Sequence, residues 1–193
     1  MTRIQMKELA KEKIKGKVLT LFLISFVISL VSGAIGAIPA LGQVASIFVV
    51  PCFTFATTLI YLELIQDKTP EVGDAFKGFS YFWISFKVGF LSGLFVFLWS
   101  LLLIIPGIIK AFAYSQAMYI IAENPEMNAM DALKRSEEMM KGHKMELFML
   151  GLSFIGWILL GMLTLGLLYI WLLPYMSATM AIFYNNIKPA AQQ

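Results

Sequence analysis

Histidine and cysteine are almost absent from this chain of 193 residues, which contains one of each, His143 and Cys52. A lone cysteine excludes an intramolecular disulfide, and one histidine with one cysteine falls short of the usual ligands of a zinc site. Charged residues are also scarce, at 14% of the chain, compared with about a quarter in soluble domains. With 59% hydrophobic residues and a mean hydropathy of +0.78, the composition predicts a membrane protein.

The missing charges leave three long apolar stretches. Residues 18–62 and 147–187 contain no charged side chain, and residues 88–122 contain only Lys110. A helix needs about 20 residues to cross the roughly 30 Å hydrocarbon core, so each stretch is long enough for about two crossings. Because a lipid-exposed turn is not tolerated within that core, each stretch must turn at the headgroups. The sequence therefore predicts an all-α membrane protein, residues 1–193 forming one domain of about six transmembrane helices in three hairpins.

Turn residues indicate where each stretch bends. The sequence GAIGAIPALG at residues 33–42 marks the first bend, the Pro106-Gly107 pair marks the second, and residues 164–166 mark the third. The helix that follows Pro106-Gly107, residues 108–122, is short for a full crossing. Whether it spans the membrane or re-enters stays open at this point.

Basic residues predict the orientation of these helices. They are concentrated in residues 1–17, 63–87 and 123–146, whereas the opposite ends of the predicted hairpins contain only Lys110. By the positive-inside rule, both termini and both long charged segments face the cytoplasm.

The charged segments predict amphipathic helices on the cytoplasmic membrane surface. A helix that starts after Asn128 and stops at Gly142 would place apolar residues on one face and charged residues on the other, with Glu137 spaced to pair with Lys141. Residues 2–14 show a similar and more basic pattern. Both helices are predicted to lie along anionic headgroups.

The spacing of these features indicates possible internal repeats over residues 1–63, 69–123 and 128–187. Lys-Gly junctions occur at similar steps, and the apolar stretches end at regularly spaced residues, Glu63, Glu123 and Asn185. Three copies would share one orientation, as parallel repeats do. Chance is the rival explanation, because lysine and glycine are common at membrane borders.

Several blocks of the sequence resemble a known family. The segments LWSLLLIIPGIIKAFAYSQAMYIIAENPEM, DALKRSEEMMKGHKMELFMLGLSFIGWILLGMLTLG and LPYMSATMAIFY are similar to the bacterial family called domain of unknown function 975, whose members are small polytopic membrane proteins. The resemblance covers residues 76–184, although Met145 stands where an aromatic residue often follows the His-Lys pair. It implies a bacterial cytoplasmic-membrane protein without an established activity, and it supplies no catalytic residues.

Lys110 is the one charge within the apolar stretches. Near the outer headgroups it would act as an anchor, with its long side chain reaching lipid phosphate. Alternatively it lines a wet cavity that attracts anions or headgroups, with Gln116 as the next polar group. Every carboxylate belongs to the predicted cytoplasmic segments or their edges, so no acidic partner is expected for Lys110.

A second group of candidate contacts, Lys141, His143 and Lys144, lies at the predicted inner border. These residues could bind lipid phosphates, and the histidine could respond to pH. Solvated residues at the end of a helix are the plainer interpretation.

The sequence predicts no enzyme, no metal and no cofactor, because no carboxylate pair lies within the spans. Small residues at helical spacing favour close helix packing, and a hydroxyl-lined path is the alternative. The preferred hypothesis is a non-enzymatic scaffold or accessory subunit that contacts anionic lipid and a protein partner or second copy, with no nucleic acid. The alternative is a small transporter or channel for a solute or lipid, with a path near Lys110 and Gln116.

Overall fold

The computed structural model describes residues 1–188, which fold into helices joined by short turns, with no β-strand among them. A 3-10 helix, Val72–Tyr81, lies between the third and fourth α-helices. The α-helices of this part of the chain are α1 Arg3–Ile14, α2 Val18–Gly36, α3 Leu41–Ile65, α4 Phe82–Leu102, α5 Ile104–Tyr114, α6 Ala117–Glu123, α7 Ala129–Met139, α8 Lys144–Leu152, α9 Ile155–Leu163 and α10 Tyr169–Ile187.

Five helical segments of the described chain are long and apolar enough to cross a membrane: Val18–Gly36, Leu41–Ile65, Val72–Leu102, Ile104–Glu123 and Lys144–Leu163. The last helix, α10, has 19 residues but contains Asn185, Asn186 and three tyrosines, and it is not among the five. The all-helical fold with several apolar helices agrees with the sequence. The sixth crossing stays a prediction.

The bend between α4 and α5 differs from the predicted one. Leu103 alone separates these helices, whereas Pro106 and Gly107 lie inside the first turn of α5. Proline is tolerated there because the N–H groups of a first turn have no partner within the helix. Gly107 lets α5 approach α4 closely, since a Cβ atom at this position would overlap the side chain of Ser100. The Pro106-Gly107 pair is therefore part of a helix contact, and its assignment to the turn is corrected.

The apolar segment after this bend is longer than the predicted residues 108–122. It runs from Ile104 to Glu123, which is 20 residues and long enough for a crossing. A break at Ser115 and Gln116 divides it into α5 and α6.

The other two predicted bend positions coincide with breaks between helices. The first lies between the end of α2 at Gly36 and the start of α3 at Leu41. The third follows the end of α9 at Leu163 and contains Gly166 in a left-handed conformation, with φ of 89°. Glycine has no Cβ and adopts such a conformation at little cost.

The core lies along the helices that return from these bends. Most of the buried side chains belong to the second half of α3, to α6 and to α10, and α3 contacts both of the others. In contrast, α2, α4 and α9 bury few residues and expose leucine, isoleucine and phenylalanine side chains. This distribution agrees with helices whose outer surfaces face lipid rather than water.

Each charged segment contacts one of the central helices: α1 contacts α10, the 3-10 helix contacts α3, and α7 contacts α6. The start of α7 is as predicted, because the Asn128 side chain accepts a hydrogen bond of 2.9 Å from the Met130 amide. Gly142 stops the segment with φ of 85°. The predicted apolar face, which includes Leu133 and Ser136, is buried against protein. Its position at the headgroups stays a prediction.

The Lys-Gly junctions of the possible repeats are not all alike. Gly16 and Gly142 have positive φ angles of 77° and 85° and belong to turns. Gly78 lies inside the 3-10 helix, where a Cβ atom would overlap the Cys52 carbonyl group of α3. Close approach of two backbones therefore explains the second glycine, whereas backbone conformation explains the other two.

Candidate functional site

A cavity of about 530 Å³ lies between α2, α3, α10 and the α5–α6 break. We call it the central cavity. Its polar lining consists mainly of hydroxyl groups, from Ser32, Thr54, Thr57, Thr58, Ser115 and Ser177. Within residues 1–188, no charged side chain lines it, and the rest of its wall is aliphatic, aromatic or thioether. Its volume is within the range of sites that bind small molecules.

The hydroxyl groups of this cavity do not require a ligand for their own stability. Thr57 and Thr58 each donate a hydrogen bond of 2.8 Å to the carbonyl oxygen four residues earlier in α3. Such bonds allow hydroxyl side chains within an apolar helix without a buried donor left unpaired. The oxygen atoms keep further lone pairs, so the wall can still accept hydrogen bonds.

Tyr61 is the exception in the central cavity. Its side chain is buried, and its hydroxyl group faces those of Ser25 and Ser177 without completing a hydrogen bond among the described residues. Most buried hydroxyl groups in proteins do have a partner. Tyr61 lines the cavity, but its hydroxyl oxygen has almost no accessible surface and so adds no accessible hydrogen-bonding group to the wall.

The break between α5 and α6 is held open by α7. The Ser136 hydroxyl donates to the Ala113 carbonyl oxygen at 2.7 Å and accepts a hydrogen bond from the Gln116 backbone N–H at 3.1 Å. One buried serine thus partners two backbone groups at the interruption of the helix. Ser115 lines two adjoining cavities, and Gln116 lines one of them.

The second of these cavities is a groove of about 560 Å³ between α5 and α8. We call it the lateral groove. Its walls are mainly apolar and include Phe112, Phe148 and Leu152. Gln116 is the lining residue that carries an amide side chain. The lateral groove and the central cavity share Ser115, Tyr119 and Met180, so the two spaces adjoin.

Gln116, predicted as a polar group of an internal path, is 3% exposed. Its amide nitrogen donates to the Ser115 hydroxyl at 2.8 Å. Its amide oxygen has no hydrogen-bond partner among the described residues.

Lys110 has an acidic partner, so the expectation that it has none is wrong. Its ammonium group lies 2.6 Å from a Glu137 carboxylate oxygen, and also 5.3 Å and 5.5 Å from the ring centroids of Trp99 and Tyr114. The prediction failed because it assigned Lys110 and Glu137 to opposite sides of the membrane. In the fold α7 packs along α5, which brings the two residues together, and Glu137 pairs with Lys110 rather than with Lys141.

The basic group at the start of α8 does not join this site. His143 contacts Glu146 through Nδ1 at 3.1 Å, Lys144 is the first residue of α8, and Lys141 is exposed. None of the three lines the central cavity or the lateral groove.

The first helix also contacts the α8–α9 break. Lys7 donates to the Ser153 carbonyl oxygen at 3.1 Å, and its ammonium group lies 4.1 Å from the centroid of the Phe154 ring. Burial, followed by the nearby charges of Lys11 and Arg3, lowers the pKa of Lys7. These contacts tie α1 to the helices that border the lateral groove.

Two sets of polar contacts, which sequence reasoning missed as a site, lie at the ends of α3, α6 and α10. Glu63 lies 3.2 Å from both Lys68 and Lys77, whereas Glu123 accepts hydrogen bonds from Tyr184 at 2.7 Å and Lys188 at 2.8 Å. The regular spacing of Glu63 and Glu123 was the sequence feature that could have indicated these contacts. Glu63 therefore links α3 to the segment that follows it, and Glu123 ties α6 to the end of α10.

No group of three or more histidine, cysteine, aspartate or glutamate side chains within residues 1–188 is placed to hold a metal ion. The chain matches the family model described as "Protein of unknown function (DUF975)" over residues 1–112 and 101–191. The chain belongs to the DUF975 family. No curated protein and no solved structure matches it. The membership of this DUF975 protein agrees with the resemblance noted in the sequence and assigns it no activity.

Proposed function

We propose that this DUF975 protein is a non-enzymatic carrier of the bacterial cytoplasmic membrane that moves an uncharged solute or a lipid through its central cavity. The observation that supports this proposal is the open cavity of about 530 Å³, with several hydroxyl groups in its wall, between α2, α3, α10 and the α5–α6 break. A scaffold needs helix packing but no hydroxyl-lined cleft of this kind. The cavity therefore favours the transport alternative over the scaffold.

The lining indicates the class of molecule. A charged group that leaves water for an apolar space needs a partner of opposite charge, and none lines the cavity within the described residues. Hydroxyl and amide groups instead exchange hydrogen bonds with uncharged polar groups. Coupled ion transport is not favoured either, because it usually requires ionisable groups along the path.

The basic segments support the proposed orientation, in which both termini face the cytoplasm. Residues 1–17 contain five lysines and one arginine, and each such charge near an anionic membrane surface contributes about 1 kcal/mol. Anionic headgroups are the proposed partners of this surface. Nothing in the arrangement favours a nucleic acid.

Transfer in proteoliposomes tests the proposal. The purified protein is reconstituted in liposomes, and the movement of fluorescent lipids and uncharged solutes across the bilayer is compared with protein-free liposomes. Ser177→Leu fills part of the central cavity, and we expect it to slow transfer severalfold. Ser29→Leu is the matched control, because Ser29 is exposed on α2 and outside the cavity. An absence of transfer for every probe, or equal effects of both variants, would contradict the carrier.

A scaffold or accessory subunit is the second candidate, and the exposed lysines of α7 and its C-terminal turn favour it. Lys134 and Lys141 are exposed, and neither ammonium group has a hydrogen bond or ion pair with the described residues. They could contact anionic lipid, a protein partner or a second copy of the chain. If transfer fails, recovery of one protein by crosslinking through these lysines in native membranes would support the scaffold.

A further inference from the structure

A further cavity, of about 550 Å³, lies between the ends of α3 and α6, next to α7 and the end of α10. We call it the polar cavity, because most of its lining residues are charged or carry an amide. Within residues 1–188 it shares no lining residue with the central cavity or the lateral groove. Its charged lining has a net formal charge of +1, with three basic and two acidic side chains: Lys68, Arg135, Lys188, Glu63 and Glu123.

Both acidic side chains of the polar cavity are already paired with lysines. Glu63 lies 3.2 Å from the ammonium groups of both Lys68 and Lys77. Glu123 lies 2.8 Å from the ammonium group of Lys188. Since each carboxylate has a nearby cation, it repels a bound anion less than an unpaired carboxylate would.

Arg135 is the basic residue of this lining whose charge the fold does not balance. It is partly buried, and its guanidinium group has no hydrogen bond or ion pair with the described residues. A charge that is withdrawn from water usually has a partner of opposite charge. The amide side chains of Gln66 and Asn124 also line the cavity without a hydrogen bond among the described residues. The polar cavity therefore contains several hydrogen-bond donors that the fold leaves unused.

We propose that the polar cavity binds a singly charged phosphodiester group, with the Arg135 guanidinium as its ionic partner. The planar guanidinium presents paired N–H groups that match two oxygen atoms sharing one negative charge. Gln66 and Asn124 donate further hydrogen bonds from their amide groups. One negative charge also equals the net charge of the lining, whereas the second charge of a phosphomonoester would have no cation left to balance it.

The place of the cavity in the fold favours a phosphodiester among singly charged oxyanions. The segments Leu41–Ile65 and Ile104–Glu123 are long and apolar enough to cross a membrane. If both cross, their charged ends and the polar cavity lie at the level of the headgroups, where the anionic groups are mainly phosphodiesters. A lipid headgroup and a water-soluble molecule can carry this same group. The site is independent of transfer through the central cavity.

Saturation-transfer NMR on the full-length protein tests the proposal in dodecyl maltoside, a detergent without charged groups. The probes are dimethyl phosphate, which is a singly charged phosphodiester, and trimethyl phosphate, which is its uncharged counterpart. We expect saturation transfer to dimethyl phosphate to be about fivefold stronger or more, because only this probe can pair with the guanidinium. Equal transfer to both probes, or none to dimethyl phosphate, would overturn the proposal.

Two variants on neighbouring positions of α7 separate the site from the overall charge of the protein. Arg135→Gln removes the guanidinium, and we expect it to weaken binding of dimethyl phosphate about tenfold. Lys134→Gln is the matched control, because it removes the same charge from an exposed residue that does not line the cavity. Equal losses in the two variants would mean that the probe responds to net charge alone, and would reject the site.

Thermal unfolding gives a second measurement on the same proteins. Without an added phosphodiester, Arg135→Gln should unfold at about the wild-type temperature, since the guanidinium has no partner to lose among the described residues. At constant ionic strength, dimethyl phosphate should raise the unfolding temperature of the wild-type protein and of Lys134→Gln, because a ligand stabilises the state that binds it. Equal stabilisation of Arg135→Gln would contradict the proposal.

Competition distinguishes the two sources of the phosphodiester. Dihexanoyl phosphatidylglycerol and glycerophosphoglycerol have the same headgroup, but only the first has acyl chains. Displacement of dimethyl phosphate by both compounds at similar concentrations would support the site and assign it a water-soluble ligand. Displacement by the lipid alone would support the site and assign it a headgroup, whereas displacement by neither would overturn the proposal. Lipid transfer in liposomes without any binding of dimethyl phosphate would reject this site but leave the carrier standing.

Discussion

At the scale of single residues, Lys110 and Gln116 are the polar positions that the sequence singled out within an otherwise apolar segment. Their residue types could be read from the sequence, but their partners could not. Both partners, Glu137 and Ser136, are neighbours on α7 and are brought to α5 and α6 only by tertiary packing. The sequence did not indicate that Tyr61 lines a cavity, because a tyrosine near the end of an apolar helix is typical of a membrane interface.

The Lys110–Glu137 ion pair gives a prediction about stability. Lys110→Met leaves the Glu137 carboxylate without its 2.6 Å partner, and the two side chains are only 20% and 35% exposed. We expect each of Lys110→Met and Glu137→Gln to destabilise the protein by about 1–2 kcal/mol. The double variant should cost less than the sum of the two single variants. Thermal unfolding in one detergent, analysed as a double-mutant cycle, measures this coupling, and strictly additive effects would contradict a direct pair.

At the scale of elements, local signals predicted helix ends well where the cap itself decides them. Asn128 starts α7 and Gly142 stops its segment, because side-chain capping and a left-handed backbone depend on those residues alone. The α4–α5 bend was misplaced because Pro106-Gly107 is also compatible with the first turn of a helix. The close contact of Gly107 with Ser100, which the sequence does not reveal, decides between a turn and the start of a helix.

The close contact of α4 with α5 predicts the effect of a single methyl group. Gly107→Ala would place its Cβ 2.9 Å from the Ser100 Cα atom, so one helix must move. We expect a loss of about 1–3 kcal/mol, as is usual for overpacking. Gly93→Ala in α4 is the matched control, because no atom lies within 4 Å of its Cβ and alanine is the better helix former. Thermal unfolding of both variants checks this, and a Gly107→Ala protein as stable as the control would contradict it.

At the scale of the whole molecule, the contacts between elements follow a cyclic order. Among the charged segments, α1 contacts α10, the 3-10 helix contacts α3, and α7 contacts α6. The same pairs of units are also in contact through α3 with α4, α5 with α8, and α10 with α2. Each unit of the predicted repeat thus contacts the preceding one, and the first contacts the last. These contacts support three repeats around one axis, which remain a prediction because the Gly78 junction differs from the other two.

The central cavity is a property of this arrangement, which explains why the sequence did not predict it. Its hydroxyl groups come from α2, α3, the α5–α6 break and α10, and the pattern of small residues within single helices favoured packing, with a hydroxyl-lined path only as the alternative. The composition and the length of the uncharged stretches were enough to predict an all-helical membrane protein. Prediction of the cavity would have required the relative positions of helices that are distant in sequence.

The threading of the chain is testable by labelling of cysteines introduced into a Cys52→Ala background. Met130 lies in α7, which we predict to be cytoplasmic, whereas Leu165 is 95% exposed in the turn before α10, which we predict to be external. A membrane-impermeant maleimide should label Leu165→Cys in intact cells and Met130→Cys only in inside-out vesicles. Basic residues flank Met130 and not Leu165, so the positive-inside rule requires this result. Labelling of position 130 from the external medium would reverse the orientation and place the basic surfaces on the outside.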